Sequence, residues 1–224
     1  MFYYASDYWI NTVDYTFWQL MFNGVGCLFW VITYAVMVKK IIKNKFVEMP
    51  WFIACGNLAW EFIWSFFYQP DTGRLFALSY QGAFLLDIFI FVHVVMYGRS
   101  QLNLSFLKDN WKLISISCLI AWIPLNYFFV QQNYDTPIGA NSGYILNIII
   151  SCLYPLLLLR NNAVNFSNVI AWCKMLGTGL ITVSMFLIYP DNYFIQTLGV
   201  LVLFLDCGYI YLLKIKKEEL RQNA

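Results

Sequence analysis

The chain of 224 residues is 61% hydrophobic and 20% aromatic, with a mean hydropathy of +0.61, a composition that excludes an ordinary soluble domain. Its net charge is only +2, and the basic residues flank apolar runs where they orient membrane segments, which leaves no nucleic-acid-binding surface. Six cysteines show no metal-type spacing and read as small packing residues within or at the edges of those runs.

A membrane-spanning helix needs about 20 mostly apolar residues. Seven such stretches are predicted, at 17–38, 49–67, 81–97, 111–130, 140–159, 169–189 and 193–213. The connecting loops are short, so the expected fold class is all-α: a polytopic membrane protein, a seven-transmembrane-helix bundle with 1–224 as a single domain. The N-terminus lacks a basic region followed by a short apolar core and cleavage site, and no removable signal peptide is expected.

In chain order, the first span carries Asn23, Gly24 and Gly26, whose small size permits close helix approach, then Trp30 and Tyr34 one turn apart, and ends in Lys39, Lys40, Lys43 and Lys45. Met49-Pro50 opens the second span, where proline suits the first helical turn. Asn57, Trp60, Glu61 and Trp64 follow at i, i+3, i+4 and i+7, placing an amide, a carboxyl and two indoles on one helix face. The third span puts Tyr80, Phe84, Asp87, Ile90 and Phe91 on one face, with His93 deeper as a packing residue. Pro124 and Asn126 mark a kink in the fourth, and Asn147 and Pro155 lie in the fifth. The sixth opens with Lys174, Gly177 and Gly179, where Lys174 reads as a base snorkelling to the interface. The seventh holds Gly199, Asp206 and Tyr209.

Every basic residue except Arg74 follows an odd-numbered span, while Asp7, Asp14, Asp71, Asp135 and Asp191 collect on the other side. The positive-inside rule therefore puts the N-terminus outside and the C-terminus in the cytoplasm.

An ionisable side chain at membrane depth costs roughly 2.5 kcal/mol or more and usually faces a bundle interior or cavity, so Glu61, Asp87 and Asp206 are candidate functional acids. Counting along helices of alternating direction gathers most of the polar residues in the outer half of the bilayer, which favours a closed-ended pocket over a channel. A carboxyl that keeps its proton in an apolar pocket is a general acid. An alkene or epoxide on a prenyl chain needs such a donor, and aromatic faces stabilise the resulting carbocation by about 0.5 to 2 kcal/mol each. Trp30, Tyr34, Trp60, Trp64, Phe84 and Tyr209 are candidates for that lining. Buried acids equally serve proton-coupled transporters and agonist-binding receptors, so the residues alone leave these alternatives open.

Several of these pieces resemble a known family, the small integral-membrane terpene cyclases of fungal meroterpenoid and indole-diterpene biosynthesis and their bacterial relatives. Trp30-Val31-Ile32-Thr33-Tyr34 looks like the family's first-span pattern. Met49-Pro50 with Gly56-Asn57-Leu58-Ala59-Trp60-Glu61 resembles its specific second-span signature, Leu86-Asp87 a polar position of the third span, and Asp206-Cys207-Gly208-Tyr209 its closing motif. The resemblance implies Glu61 and Asp206 as catalytic acids, with Glu61 preferred as donor and Asp206 as second acid or hydrogen-bond partner. Asn57, Trp60, Trp64, Asp87, Trp30, Tyr34 and Tyr209 are the expected substrate-binding residues. It also implies a lipophilic prenylated small-molecule substrate, often with a terminal epoxide, no metal and no cofactor, and a multi-pass protein of the endoplasmic reticulum membrane in a eukaryote or the cytoplasmic membrane in a bacterium. The chief alternative is a proton-coupled small-molecule transporter with a buried acid pair. That reading predicts an internal repeat between spans one to three and five to seven, and the sequence carries no counterpart of Asn57, Trp60 and Glu61 in the sixth span. A retinal protein is disfavoured because Lys214 falls at the cytoplasmic end of the last span.

Overall fold

The structure, a computed structural model, describes residues 8–102 and 105–222. Among these the backbone is helical, with no strand: α1 Phe17–Asn44, α2 Trp51–Phe66, α3 Arg74–Tyr97, α4 Ser105–Asp109, α5 Trp111–Gln131, α6 Ala140–Arg160, α7 Asn168–Ile188 and α8 Tyr193–Gln222. Six of them, α1, α3, α5, α6, α7 and α8, are long and apolar enough to cross a membrane. α2 falls short by length: its 16 residues extend about 24 Å, against a hydrocarbon core about 30 Å thick. The seven expected spans therefore resolve into six full-length helices and one short one. Asp7, counted above with the acids of the N-terminal side, lies outside the described residues.

Local chemistry explains where the helices begin and end. α1 starts with a capping box in which the Thr16 side chain accepts from the Gln19 amide while Gln19 Oε1 accepts from the Thr16 amide at 2.8 Å. It continues through the first three lysines, which are good helix formers, and stops only at Lys45 in the left-handed region with φ 53°. α3 begins at Arg74, seven residues before the predicted 81, because the polar residues Arg74, Ser79 and Gln81 mask its first two turns in the hydropathy pattern. Its start is fixed by the N-terminal segment: the amides of Arg74 and Leu75 donate to the carbonyls of Tyr8 and Trp9, each at 3.0 Å, and the Tyr15 hydroxyl donates to Asp71 at 2.5 Å. Gly73 permits that docking with φ 121°, since a Cβ there would lie 2.7 Å from the Trp9 carbonyl oxygen.

The long helices form a ring. α1 packs along α7, α7 along α8, α8 along α6 and α2 along α3, while α5 covers α2 from outside; the ring is closed more lightly at two seams, α6 against α2 and α3 against α1. The α1–α7 seam is the tight one. A Cβ on Gly26 would come within 2.8 Å of the Gly177 carbonyl oxygen, and one on Gly177 within 3.0 Å of that of Gly26, so only glycine lets these backbones meet. At the lysine-rich end, Glu48 in the α1–α2 loop ties three elements together. It is buried, pairs with Lys40 at 3.2 Å, accepts the Ser167 amide at the start of α7 at 2.8 Å and accepts the Tyr209 hydroxyl of α8 at 3.4 Å. Burial pushes its carboxyl up to about 7 even though Lys40 opposes the shift.

Candidate active site

The ring encloses a cavity of about 570 Å³, within the usual range of small-molecule sites of about 300–1,000 Å³. α1 contributes Asn23, Cys27, Trp30 and Tyr34, α2 contributes Asn57, Trp60 and Glu61, and α3 contributes Tyr80 and Ala83. Gly139 to Asn147 at the start of α6 and Thr178, Ile181 and Met185 on α7 complete the wall. The wall is mostly apolar, with polar groups confined to a few positions.

Glu61 is the acid of this wall. It is 9% exposed, and its Oε2 has no hydrogen-bonding partner among the described residues. One turn earlier on the same face, Asn57 Nδ2 donates to the Tyr34 hydroxyl at 3.3 Å, linking α2 to α1. Asp87 lies beside Tyr34 behind the cavity surface, 2% exposed, with neither carboxylate oxygen in a hydrogen bond of good geometry. Glu61, Asp87, Tyr34 and Asn57 thus form one buried polar cluster.

Trp60 is held rigidly. Its indole N–H donates to Ser142 Oγ at 2.7 Å, and that hydroxyl donates in turn to Asp135, which also accepts the amides of Thr136 and Asn141 at 2.8 and 2.9 Å. The Asp135 carboxylate therefore anchors the α6 N-terminus and, through Ser142, the ring plane of Trp60. Burial pushes the Asp135 carboxyl up, against those hydrogen bonds. Trp60 and Trp64 lie 5.9 Å apart and flank Gly139, whose φ of 75° and missing Cβ make room for both indoles.

Of the residues singled out from sequence, Trp30, Tyr34, Asn57, Trp60 and Glu61 line the cavity together. Trp64 is fully buried behind Trp60, and Phe84 packs on Phe62 and Phe66 away from the lining. Tyr209 also lies off the cavity, its ring against Tyr154 at 5.2 Å and its hydroxyl on Glu48. Asp206 is elsewhere again. Its Oδ1 accepts from Lys174 Nζ at 2.5 Å and from Ser151 Oγ at 2.7 Å, forming a buried knot that joins α6, α7 and α8. The expectation that Lys174 snorkels is corrected: at 2% exposure it stays inside because Asp206 and Ser151 satisfy its ammonium there. A lysine within an apolar turn, with an aspartate at complementary depth on an antiparallel helix, was the available signal. Ser142, Tyr144 and Thr178 drew no notice in the sequence, because lone hydroxyl residues in an apolar helix have no distinguishing spacing.

Among the described residues the architecture is an all-helical bundle with Glu61 and several aromatic side chains facing one largely apolar cavity of small-molecule size. The chain belongs to the family described as Pyr4-like transmembrane terpene cyclases, which it matches over residues 10–217, and it is an integral multi-pass membrane protein. It is similar to the terpene cyclase dpasB of Apiospora sacchari, 29% identical over 126 residues that make up 54% of this chain and 50% of the relative. It is 26% identical to the terpene cyclase macJ of Penicillium terrestre over 70% of this chain and 62% of that one. With the Pyr4-family terpene cyclase mfmH of Annulohypoxylon moriforme it shares 25% identity over 74% and 70% of the two chains. The chain thus spans about half to two thirds of the length of the first two relatives. No solved structure matches it. Membership of this family does not favour the transporter alternative.

Proposed function

We propose that the protein is a membrane-bound terpene cyclase acting on the prenyl chain of a meroterpenoid or indole-terpenoid precursor. The observation that carries this reading is the Glu61 carboxyl, without a cation or hydrogen-bond donor on Oε2, facing a cavity walled by Trp30, Tyr34, Trp60 and Tyr80 in a chain of the cyclase family. Glu61 gives its proton to the terminal epoxide oxygen or to the terminal alkene carbon. The epoxide C–O bond, or the alkene π bond, breaks to leave a carbocation, and the π electrons of the next alkenes close carbon–carbon bonds onto it in turn. The last cation loses a proton from a neighbouring carbon to the carboxylate left on Glu61 or to Asp87 beside it. Product and substrate then have one formula, and the reaction is an isomerisation needing neither metal nor cofactor.

The aromatic faces stabilise the travelling charge, and exclusion of water keeps it from being quenched. The Asn57–Tyr34 hydrogen bond ties α2, which carries Glu61, to α1, and Asp135 positions Trp60 through Ser142. Asp206 is given a positioning role: paired with Lys174, it locks α6, α7 and α8, two of which supply cavity wall. In this reading α2 is the seventh crossing element, the N-terminus is outside and the C-terminus cytoplasmic, and the fungal origin of the relatives favours the endoplasmic reticulum membrane.

The test is a mass-spectrometric assay of membranes containing the protein, offered prenylated aromatic and indole compounds with and without terminal epoxides. A product of unchanged mass and altered retention, formed by wild type and lost in a correctly inserted Glu61→Gln variant, supports the reading. Full activity in that variant refutes Glu61 as donor, and proton-driven uptake of the compound into vesicles without product would establish transport instead.

A further inference from the structure

We infer that the cavity is loaded sideways from the bilayer, through a slot between α1 and α3 whose width is set by Gly82, and that the group passing through it is the uncharged prenyl chain of a substrate dissolved in lipid. The identity of the passenger rests on the cyclase reading; the slot itself rests on geometry. Among the residues that line the cavity, the exposed ones are Val31 on α1, at 49%, and Gly82 and Leu85 on α3, the latter at 66%. They sit on α1 and α3, one of the two light seams of the ring; at the other, between α2 and α6, Trp60 bridges to Ser142 and no lining residue is exposed, so only at the α1–α3 seam are the cavity wall and the outer surface the same residues among those described.

The depth of the seam decides what the slot opens onto. Gly82 and Leu85 lie about 12 and 17 Å along α3 from its start, and Val31 about 21 Å along α1, by the rise of 1.5 Å per residue. These positions fall well inside the spans, where the surroundings are hydrocarbon. Toward the water on the α3 N-terminal side the bundle is closed: the segment holding Asn11 and Tyr15 is bound to Asp71, and Trp64 and Trp60 seat on Gly139.

Small residues between membrane helices ordinarily bring the backbones together. That is what Gly26 and Gly177 do on the opposite flank of α1. Gly82 does not do this: a Cβ built on it meets nothing within 4 Å, so this residue, which lines the cavity and is exposed, faces open space. The slot residues carry no charge, so a prenyl chain passes at little cost, whereas an ionised diphosphate at this depth would meet a barrier.

The experiment uses the full chain in lipid vesicles and a prenylated phenol carrying a diazirine at the far end of its chain, added from donor vesicles. The readout is the rate of light-induced crosslinking to residues 51–66, which needs no turnover. Gly82→Cys, in a Cys152→Ala, Cys207→Ala background, is inserted and folded first and then modified with alkyl thiosulfonates of increasing length, reversed by thiol reductant; the same background with Gly82 intact is treated alike, because Cys27 lines the cavity, and its rate is expected to stay unchanged. The expected result is a rate that falls with adduct size, by about tenfold or more for the bulkiest, and returns on reduction. Val183→Phe, on the lipid-facing side of α7 and off the cavity lining, leaves the rate unchanged. A rate unaffected by the bulkiest adduct, or absence of crosslinks to α2 in the unmodified protein, overturns the slot. Crosslinking that is slot-dependent in a protein that never isomerises the compound overturns the cyclase reading and leaves the slot standing.

Discussion

Asp206→Asn separates chemistry from positioning at the second acid. In the folded protein Lys174 and Asp206 are 2% exposed and joined at 2.5 Å, with Ser151 bonded to both. Removing the carboxylate charge strands an ammonium in apolar surroundings, and breaking one partner of such a pair destabilises a protein by about 3–5 kcal/mol, while replacing both with apolar groups of similar volume is often neutral. We therefore expect Asp206→Asn and Lys174→Met to lower thermal stability in detergent by similar amounts and to lose cyclisation together. The double variant is expected to regain most of both. The assay is a double-mutant cycle with two readouts, unfolding temperature and rate of product formation at saturating substrate. If the double variant is as stable as wild type yet as inactive as Asp206→Asn, Asp206 acts on the substrate or its proton and the positioning role is wrong.

Glu61→Gln keeps the size of the side chain and removes the transferable proton, so product formation is expected to drop by about 100-fold to 10,000-fold while crosslinking to α2 persists; activity within a few-fold of wild type refutes the assignment. Glu48 makes stability depend on pH. Its folded value near 7 lies above the ordinary 4.5, so in that window the unfolded chain has released a proton that the folded chain still holds, and stability falls as pH rises from about 4.5 to about 7. Thermal melts across that range should show this decline, and Glu48→Gln should flatten it; an equal slope in both would place the effect elsewhere. Gly139→Ala forces a methyl to 2.7 Å from Trp64 and 2.8 Å from Trp60 at a φ of 75°, and is expected to cost about 1–3 kcal/mol and to perturb tryptophan emission. A wild-type melt and spectrum would contradict the packing described.

Much of this was legible in the sequence because helical periodicity and membrane depth act on every residue. Asn57, Trp60 and Glu61 were placed on one face by their spacing alone, and that face is the cavity wall. The same rule brought Trp64 along, but it lies one turn further out, where Gly139 lets its indole pack behind Trp60. Spacing gives a direction around one helix and says nothing about what faces it. That is why Asp206 and Lys174 were read as unrelated residues of two spans although they form a buried pair at 2.5 Å. Glu48 escaped notice for a different reason. It sits in a loop beside four lysines, where an acid ordinarily meets water, and only the chain path that buries it against Ser167 and Tyr209 makes it structural.

Glu61 and Asp206, two of the three candidate intramembrane acids, have opposite surroundings, and this difference bears on how a protonation-driven reaction can be run in a lipid-embedded bundle. Asp206 meets an ammonium at 2.5 Å, which satisfies its charge and ties three helices together. Glu61 Oε2 meets no hydrogen-bond donor among the described residues, and Glu61 shares its buried cluster with the Asp87 carboxyl. The Asp206 carboxyl is committed to Lys174 and Ser151, whereas the Glu61 carboxyl faces the cavity, where a substrate would meet it. In the arrangement proposed, the bundle is held rigid by an ion pair outside the cavity and keeps the cavity itself free of fixed positive charge. A carbocation travelling across the chamber then meets ring faces and no ammonium group, and the conjugate base stays close enough to take the proton back.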